Sequence, residues 1–212
     1  MKDIFLSGIQ GSWKGMQASL LMKNFPDTFK YFETWEILRT LSSTDNAIWN
    51  YLRDALENGK LVKDGVVVEL FKVFLQTTES DDRLLLDWIL RKIWQTQAIC
   101  EEMQKAGREF VVLNFDLPDE VVYHRLGSRT ICSKCWSSVH VSDLSWKCQK
   151  CGWELVRRID DSNIEAVKAR IEAFHRDTEP CIKWLEKKGW LVHIDANRWI
   201  DEIFEDVKKY IN

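Results

Sequence analysis

Two pairs of cysteines are the most specific chemical feature of this sequence. Two residues separate the members of each pair, Cys132 with Cys135 and Cys148 with Cys151, and twelve residues separate the pairs. This spacing lets both thiolates of a pair reach one tetrahedral ion, and the intervening segment can fold back to complete four-thiolate coordination. A site of this kind has no open position, so the pattern predicts a structural Zn²⁺. Iron can also use four thiolates, and a zinc ribbon that reads nucleic acid is the alternative.

A glycine-rich stretch near the start, Gly8 to Gln17, follows an apolar run. A strand that passes through such a turn into a helix presents backbone N–H groups and one lysine, here Lys14, to nucleotide phosphates. The stretch departs from the phosphate-loop pattern twice. Trp13 stands where the pattern has glycine, and Gly15 with Met16 stands where it has Ser or Thr. The interpretation as a nucleotide site therefore depends on the rest of the chain.

Charged residues suited to phosphoryl transfer are spread along the chain. This chemistry needs fixed positive charge, because its catalysis is mostly positioning and electrostatic stabilisation. The candidates are Lys14, Arg39, Arg91, Arg125, Arg129, Arg158 and Arg170. Asp87 ends the apolar run Leu84 to Leu86, a position from which a carboxylate holds Mg²⁺ through water beside a phosphate loop. The alternative for Asp87 is a turn or helix-capping residue.

The elements that must position these residues alternate between strands and helices. Short apolar runs predict five strands: Asp3 to Leu6, Phe29 to Phe32, Leu84 to Asp87, Phe110 to Phe115 and Leu191 to Asp195. With helical patterns between them, they predict an α/β fold whose parallel sheet gathers ligands at the carboxyl ends of its strands. Two segments depart from this rhythm. Residues 33–62 are predicted to be helical, and residues 128–161 are predicted to form a small metal-stapled β insertion.

Composition narrows the class of protein. With 212 residues and 45% hydrophobic content, the chain can bury a full core, and its net charge of −3 argues against broad nucleic-acid binding. No apolar run approaches the ~18 residues that span a bilayer, and no secretory signal is recognisable, so we expect a cytoplasmic protein. Its six cysteines should then be thiols or metal ligands, with Cys100 and Cys181 as small buried residues.

The order of these features resembles the adenylate kinase family, in its bacterial type with a zinc-bearing lid, over essentially the whole length. The stretches that carry the resemblance are Gly8 to Gln17, Thr34 to Arg39, Asn58 to Val62, Asp87 to Arg91 with Gln95, Arg125 to Cys132, Asp160 with Asp161, and Lys188 with Gly189. The resemblance implies a phosphate-loop core over 1–32, 63–127 and 162–212. It also implies a helical AMP-binding insertion over 33–62 and a zinc lid over 128–161.

The resemblance further implies an activity: reversible transfer of the terminal phosphoryl group of MgATP to AMP, giving two ADP, by a monomer. The ATP-binding residues would be Gly11, Ser12, Trp13, Lys14, Gly15, Met16 and Arg125. The catalytic residues would be Lys14, Asp87, Arg91, Arg125, Arg129, Arg158 and Arg170. The AMP-binding residues would be Thr34, Arg39, Leu61, Val62, Arg91 and Gln95. Adenine recognition by Thr34 and Gln95 favours AMP over a pyrimidine monophosphate.

Tryptophan replaces glycine repeatedly in this comparison with the family pattern. The positions are Trp13, Trp35, Trp88, Trp136 and Trp153, in a chain with eleven tryptophans and nine glycines. Our hypothesis is that the gene comes from a lineage in which the UGA codon means glycine and has here been read as tryptophan. Bulky side chains at Trp13 and Trp88 should impair ATP binding or turnover. A catalytically weak or silent nucleotide-binding protein and a kinase for another nucleoside monophosphate are the alternatives.

Overall fold

The computed structural model describes residues 2–42, 50, 64–127, 129–134, 138–139, 147–148, 151–157, 161 and 163–211. Eight strands lie in this part of the chain: β1 Asp3–Gly8, β2 Phe29–Glu33, β3 Arg83–Asp87, β4 Phe110–Asp116, β5 Thr130–Cys132, β6 Ser138–Val139, β7 Leu155–Arg157 and β8 Leu191–Asp195. The helices are α1 Lys14–Asn24, α2 Thr34–Ser42, α3 Asp64–Gln76, α4 Ile93–Lys105, α5 Asp119–Gly127, α6 Ile164–Ala173, α7 Glu179–Lys187 and α8 Ile200–Lys208. A π-helical segment, Phe174–Thr178, joins α6 to α7.

Five of these strands form one parallel sheet in the order β2-β3-β1-β4-β8. Each corresponds to a strand predicted from an apolar run, so the predicted α/β class is confirmed. Three strands extend further than predicted at their carboxyl ends, since β1 continues to Gly8, β2 includes Glu33 and β4 includes Asp116. Parallel neighbours need long crossover connections, and the intervening helices provide them.

Alternating side chains of the sheet supply two apolar clusters, one on each face. Ile4 and Leu6 of β1 belong to the cluster that includes residues of α1 and α8, and Phe5 belongs to the cluster that includes residues of α3 and α4. This division follows from the period of two residues in a strand. Because both faces are covered by helices, the central strands are mostly apolar on both sides, as is usual for a parallel sheet. The sheet is therefore a rigid support for whatever its ends carry.

The register of the sheet aligns the carboxyl ends of its strands. Leu6 lies opposite Asp87, Asp87 lies opposite Glu33, and Gly8 lies opposite Phe115. The glycine-rich turn, the end of β3 and the end of β4 therefore meet at one edge. This is the edge at which ligands bind in open parallel sheets.

A second, smaller sheet contains Cys132, one of the three paired cysteines that the structure describes. Its strands are antiparallel in the order β6-β5-β7, and none is longer than three residues. We call it the cysteine-bearing sheet. Its position in the sequence lies within the predicted β insertion, residues 128–161. The predicted domain boundaries, and the helical insertion 33–62 beyond α2, stay predictions because much of that insertion lies outside the described residues.

Two cysteines lie in the main core. Cys100 is 1% exposed and Cys181 is fully buried, which confirms their prediction as small buried residues. Burial raises the pKa of Cys100 to about 12, so its thiol stays protonated. Among the described residues, no helix has the length and apolar character needed to cross a membrane.

Candidate active site

The glycine-rich turn brings the start of α1 to the carboxyl edge of the parallel sheet. Gly8 has φ of 143°, and a Cβ at this position would lie 2.8 Å from the carbonyl oxygen of Phe115. Glycine is thus required where β1 passes closely beside β4. The chain then turns through Gly11, with φ of 83°, and the hydroxyl of Ser12 is buried without a hydrogen-bond partner among the described residues. A buried, unpaired hydroxyl in this turn is suited to a ligand that supplies the missing partner.

Lys14 and Asp87 form the electrostatic centre of the site. Lys14 begins α1 and is 7% exposed, while Asp87 ends β3 and is 1% exposed. A Cβ built on Gly15 would lie 3.9 Å from Asp87 Oδ2, so the first turn of α1 lies directly beside this carboxylate. The N-terminus of α1 therefore presents N–H groups and an ammonium group next to a buried carboxylate, an arrangement suited to phosphate with a divalent cation.

The pKa values of this pair reflect burial. Burial lowers the pKa of Lys14 to about 8, although the negative charge of Asp87 opposes the shift, and the positive charges of Arg91 and Arg129 add to it. Burial likewise raises the pKa of Asp87, against the effects of Lys14 and of the Trp88 N–H that donates to Asp87 Oδ1 at 2.8 Å. A phosphate anion placed here would stabilise the charged form of Lys14.

Arg91 is held at the same edge by its backbone. Its N–H donates to Gln95 Oε1 at 2.9 Å, and its carbonyl oxygen accepts from Thr178 Oγ1 at 3.1 Å. Burial lowers the pKa of the Arg91 guanidinium, and the charge of Asp87 opposes that shift. The backbone of Arg91 is therefore fixed, and its guanidinium lies within electrostatic range of Asp87 and Lys14.

A buried hydroxyl lies at the start of α2, directly after the end of β2. Thr34 is 4% exposed, and its Oγ1 has no hydrogen-bond partner in the described part of the chain. Gln95, 3% exposed on α4, uses Oε1 to position Arg91. Arg39 lies on α2 but its side chain is outside the described residues, as are Leu61 and Val62.

Arg125, on α5, extends to the glycine-rich turn. Its guanidinium donates to the carbonyl oxygen of Gly11 at 3.2 Å and to that of Arg198 at 3.4 Å. The same group lies 3.7 Å from the ring centroid of Trp13. Burial lowers the pKa of Arg125, and Asp195 opposes the shift. Arg125 thus lies between the glycine-rich turn and the loop that follows β8.

Asp161 joins two further predicted arginines. Arg129 Nε and one terminal nitrogen donate to its two carboxylate oxygens at 2.6 and 2.9 Å, and Arg170 donates to Oδ1 at 2.7 Å. The Asp161 side chain is 3% exposed. A bidentate pair with a second arginine fixes the direction of both guanidinium groups. Arg158 lies outside the described residues.

Three of the four paired cysteines lie together. The sulfur atoms of Cys132, Cys148 and Cys151 are within 4.8 Å of one another, and those of Cys132 and Cys151 are 3.4 Å apart. The Lys134 N–H points to Cys132 Sγ at 3.4 Å. The donor set and its compact arrangement fit a tetrahedral thiolate site with one further ligand. Cys135, predicted as the fourth, lies outside the described residues.

Comparison with known proteins agrees with this geometry. The family model described as Adenylate kinase matches residues 6–190. The chain belongs to the adenylate kinase family. Three curated relatives named Adenylate kinase are similar over nearly the whole chain. The relative from Caldanaerobacter subterraneus subsp. tengcongensis is 31% identical over 97% of this chain and 94% of its own length. That from Caldicellulosiruptor bescii is 32% identical over 97% of both chains, and one from Clostridium botulinum is 30% identical over 98% of both.

Membership of the adenylate kinase family agrees with the resemblance found in the sequence, and the individual residue roles stay predictions. The structure brings Asp87, Arg91 and Arg129 within electrostatic range of Lys14. Arg125 donates to a carbonyl oxygen of the glycine-rich turn. Arg170 and Arg129 donate to the same carboxylate, that of Asp161. Met16 follows Gly15 within α1, where its thioether replaces the expected hydroxyl.

Two acidic residues of this adenylate kinase site were absent from the predicted set. Glu33 ends β2 opposite Asp87, and its charge raises the pKa of Lys14, against the larger effect of burial. Asp161 orients Arg129 and Arg170. The position of Glu33 directly after an apolar strand was a usable signal, because Asp87 was found in the same way. The pairing of Asp161 had no local signal, since its partners lie 32 and 9 residues away.

Proposed function

We propose that this chain catalyses reversible transfer of the terminal phosphoryl group from MgATP to AMP, producing two molecules of ADP. The observation that carries the proposal is the convergence of Asp87, Arg91 and Arg129 on the buried ammonium group of Lys14. Membership of the adenylate kinase family supports it. Concentrated positive charge at the carboxyl edge of a parallel sheet suits phosphoryl transfer, which depends chiefly on positioning and charge stabilisation.

The glycine-rich turn between β1 and α1 would bind the donor nucleotide, ATP. Backbone N–H groups of Gly11, Ser12, Trp13, Gly15 and Met16 and the ammonium group of Lys14 are proposed to bind the ATP phosphates. The buried hydroxyl of Ser12 and the pKa of Lys14 lowered by burial both support a phosphate anion at this place. When bound with ATP, Mg²⁺ would neutralise phosphate charge, and Asp87 would hold it through water.

The acceptor nucleotide would bind on the α2 and α4 side of the site. Arg91 and Arg39 are proposed to hold the AMP phosphate, with Thr34 and Gln95 recognising adenine and Leu61 and Val62 contacting the nucleotide. Support comes from the buried, unpaired Thr34 Oγ1 and from the two hydrogen bonds that fix the Arg91 backbone. A site that hydrogen-bonds a base discriminates well against bases that leave its buried polar groups unpaired.

In the transfer step, a phosphate oxygen of AMP attacks the terminal phosphorus of ATP. A new P–O bond forms on AMP, while the bond to the bridging oxygen breaks and its electron pair stays on the departing ADP. Arg125, Arg129, Arg158 and Arg170 are proposed to neutralise the charge that spreads over the transferred group. Closure of the insertion 128–161 over the site would exclude water and prevent hydrolysis.

Zn²⁺ is proposed to have a structural role. Cys132, Cys135, Cys148 and Cys151 would form a closed four-thiolate site. The three clustered sulfur atoms and the N–H directed at Cys132 support it. We propose that the enzyme works as a monomer in the cytoplasm. The free thiols of Cys100 and Cys181 are compatible with a reducing compartment.

A substrate panel tests the proposed activity. ADP formation from MgATP should be measured with AMP, CMP, UMP and GMP as acceptors. We expect AMP to give the highest kcat/KM. A higher value for a pyrimidine monophosphate would show that the chain is a kinase for another nucleotide.

Replacement of the buried hydroxyl on α2 tests the proposed AMP side. Thr34→Val keeps the shape of the side chain and removes one neutral hydrogen bond, so KM for AMP should rise about 3- to 10-fold with KM for ATP unchanged. Thr40→Val, on the same helix at an exposed position, is the matched control and should change neither constant. Equal effects of Thr34→Val on both nucleotides would contradict the assignment.

A further inference from the structure

Three described residues other than glycine have a left-handed backbone conformation. Their φ angles are 61° for Trp13, 62° for Asp27 and 61° for Trp88. Aspartate tolerates this region because its short polar side chain can hydrogen-bond locally, whereas a bulky side chain there is a strained exception. Glycine adopts it without steric conflict. The backbone at positions 13 and 88 therefore has the conformation of a glycine.

The two tryptophans with this conformation flank the phosphate site. Trp13 directly precedes Lys14, and Trp88 directly follows Asp87. Trp35 and Trp153 also stand where the family pattern has glycine, but neither is among the left-handed residues. Among these tryptophans, the glycine-like conformation occurs at positions 13 and 88, next to the residues proposed to bind phosphate and Mg²⁺.

The indole ring of Trp88 lies over two cationic groups of the site. Its centroid is 4.2 Å from Lys14 Nζ and 4.8 Å from the guanidinium carbon of Arg91. The ring of Trp35 stacks on it, with centroids 6.4 Å apart and planes inclined by 22°. Attraction between a cation and an aromatic face is strongest where water is excluded, as it is at buried Lys14. A phosphate approaching Lys14 and Arg91 must therefore displace this ring.

The indole ring of Trp13 covers a third cationic group. The guanidinium carbon of Arg125 is 3.7 Å from its centroid, while the same guanidinium donates to the Gly11 carbonyl oxygen. The ring thus lies against the arginine that borders the glycine-rich turn. The rings of Trp13 and Trp88 together cover three positive groups that phosphates would contact: those of Lys14, Arg91 and Arg125.

We propose that positions 13 and 88 are glycine positions of this chain, and that the indole rings of Trp13 and Trp88 close the phosphate site by covering Lys14, Arg91 and Arg125. The inference rests on the proposed function for the identity of the displaced ligand. It also supports the hypothesis that UGA codons of this gene mean glycine, because the backbone independently selects glycine at two of the suspected positions.

Two double variants distinguish the effect of the indole rings from the effect of the left-handed backbone conformation. Trp13→Gly with Trp88→Gly removes both rings and both left-handed side chains, whereas Trp13→Ala with Trp88→Ala removes the rings and keeps a Cβ at each position. Binding of inorganic tripolyphosphate, measured by calorimetry, and Tm should be compared with those of the unchanged chain. We expect both double variants to bind tripolyphosphate at least tenfold more tightly. We also expect the glycine variant to have the higher Tm of the two.

Asp27 provides the matched control. Asp27→Gly and Asp27→Ala alter the third left-handed position, which is exposed and follows α1. The glycine variant should again be the more stable of the pair, with tripolyphosphate affinity within twofold of the unchanged chain.

Two results would overturn the proposal: tripolyphosphate affinity of the double glycine variant within twofold of the unchanged chain, or a double alanine variant at least as stable as the double glycine variant. Tighter tripolyphosphate binding without ADP formation from ATP and AMP would support this inference and contradict the proposed function. The two failures are therefore distinguishable.

Discussion

The parallel sheet and the cysteine-bearing sheet are stabilised in different ways. The parallel sheet has apolar clusters on both faces, built from its own strands and from helices on either side. In the part of the segment 128–161 that the structure describes, Cys132, Cys148 and Leu155 form one small buried cluster at the cysteine-bearing sheet. Its strands are two or three residues long. Hydrophobic burial can maintain the first sheet, whereas we propose that bound Zn²⁺ stabilises the second.

This difference assigns separate roles to the two regions. The parallel sheet fixes Lys14, Asp87 and Arg91 by burial, so the chemistry depends on a rigid support. The cysteine-bearing sheet contributes Cys132 to the thiol cluster, and Arg129, which directly precedes β5, is bound by Asp161 together with Arg170. With the proposed Zn²⁺ bound, this segment would have its own metal-dependent fold and could be repositioned without disturbance of the main core.

Loss of one thiol of the cysteine cluster is expected to have the largest effect on folding stability. It should unfold the cysteine-bearing sheet and leave the parallel sheet folded. Cys148→Ser removes a ligand of the proposed Zn²⁺ site, and such ions supply on the order of 10 kcal/mol of folding free energy in small metal-binding units. We expect the metal to be lost and amide protection to disappear over β5 and β7 while α4 and β4 keep theirs. Hydrogen–deuterium exchange with metal analysis measures both outcomes.

Cys100→Ala is the matched control for that comparison. Cys100 is buried against the parallel sheet, so its truncation should lower the free energy of global unfolding by roughly 1–2 kcal/mol without any change in metal content. If Cys148→Ser instead removes protection from both sheets together, the two regions do not fold separately and the comparison fails.

The carboxylate that links the two regions should give an intermediate effect. Asp161→Asn keeps the shape but removes the charge that orients Arg129 and Arg170, so we expect unfolding free energy to fall by about 1–3 kcal/mol and kcat to fall as well. Urea denaturation and the ADP assay measure these changes. Glu205→Gln, which removes an exposed pair with Lys208, should change stability by less than about 0.5 kcal/mol. Similar effects of the two substitutions would show that Asp161 is an ordinary surface carboxylate.

A pH-dependent contact outside the cysteine-bearing sheet should give the smallest effect. His175 lies 2.9 Å from Glu179 and 3.0 Å from Asp119, and these partners raise its pKa, Glu179 most strongly. Because the folded-state pKa is raised, the stabilisation is complete below the unfolded value near 6.5 and is lost as pH rises through the folded value. His175→Gln should lower Tm by about 1–3 °C at pH 5.5 and have little effect at pH 8.5. An equal shift at both values would exclude the charged histidine as the cause.

The parallel sheet was predictable because its strands are short, mostly apolar runs separated by helical patterns. Leu84 to Leu86 ends at Asp87 in the sequence as in the structure, and the edge that gathers the site follows from parallel strand order. The strands of the cysteine-bearing sheet were not individually predictable. Pairs such as Thr130 with Arg157 join segments far apart in the chain, and two or three residues carry too little periodicity.

The cationic groups of the site were identifiable by type, but their partners were not. The link from Asp161 to Arg129 and Arg170 depends on how α6 packs, which local sequence does not encode. The contacts of the Trp13 ring with Arg125 and of the Trp88 ring with Lys14 likewise depend on tertiary packing. The sequence could nevertheless mark both tryptophans as departures from the glycine pattern, and their left-handed φ angles agree with that reading.

The most direct test of this account is the reaction of the Trp13→Gly, Trp88→Gly protein with MgATP and AMP, followed by phosphorus NMR. We predict that two ADP form for each AMP consumed, faster than with the unchanged chain, and that Lys14→Met abolishes the reaction. Conversion of ATP to ADP and inorganic phosphate at the same rate with and without AMP would contradict the account.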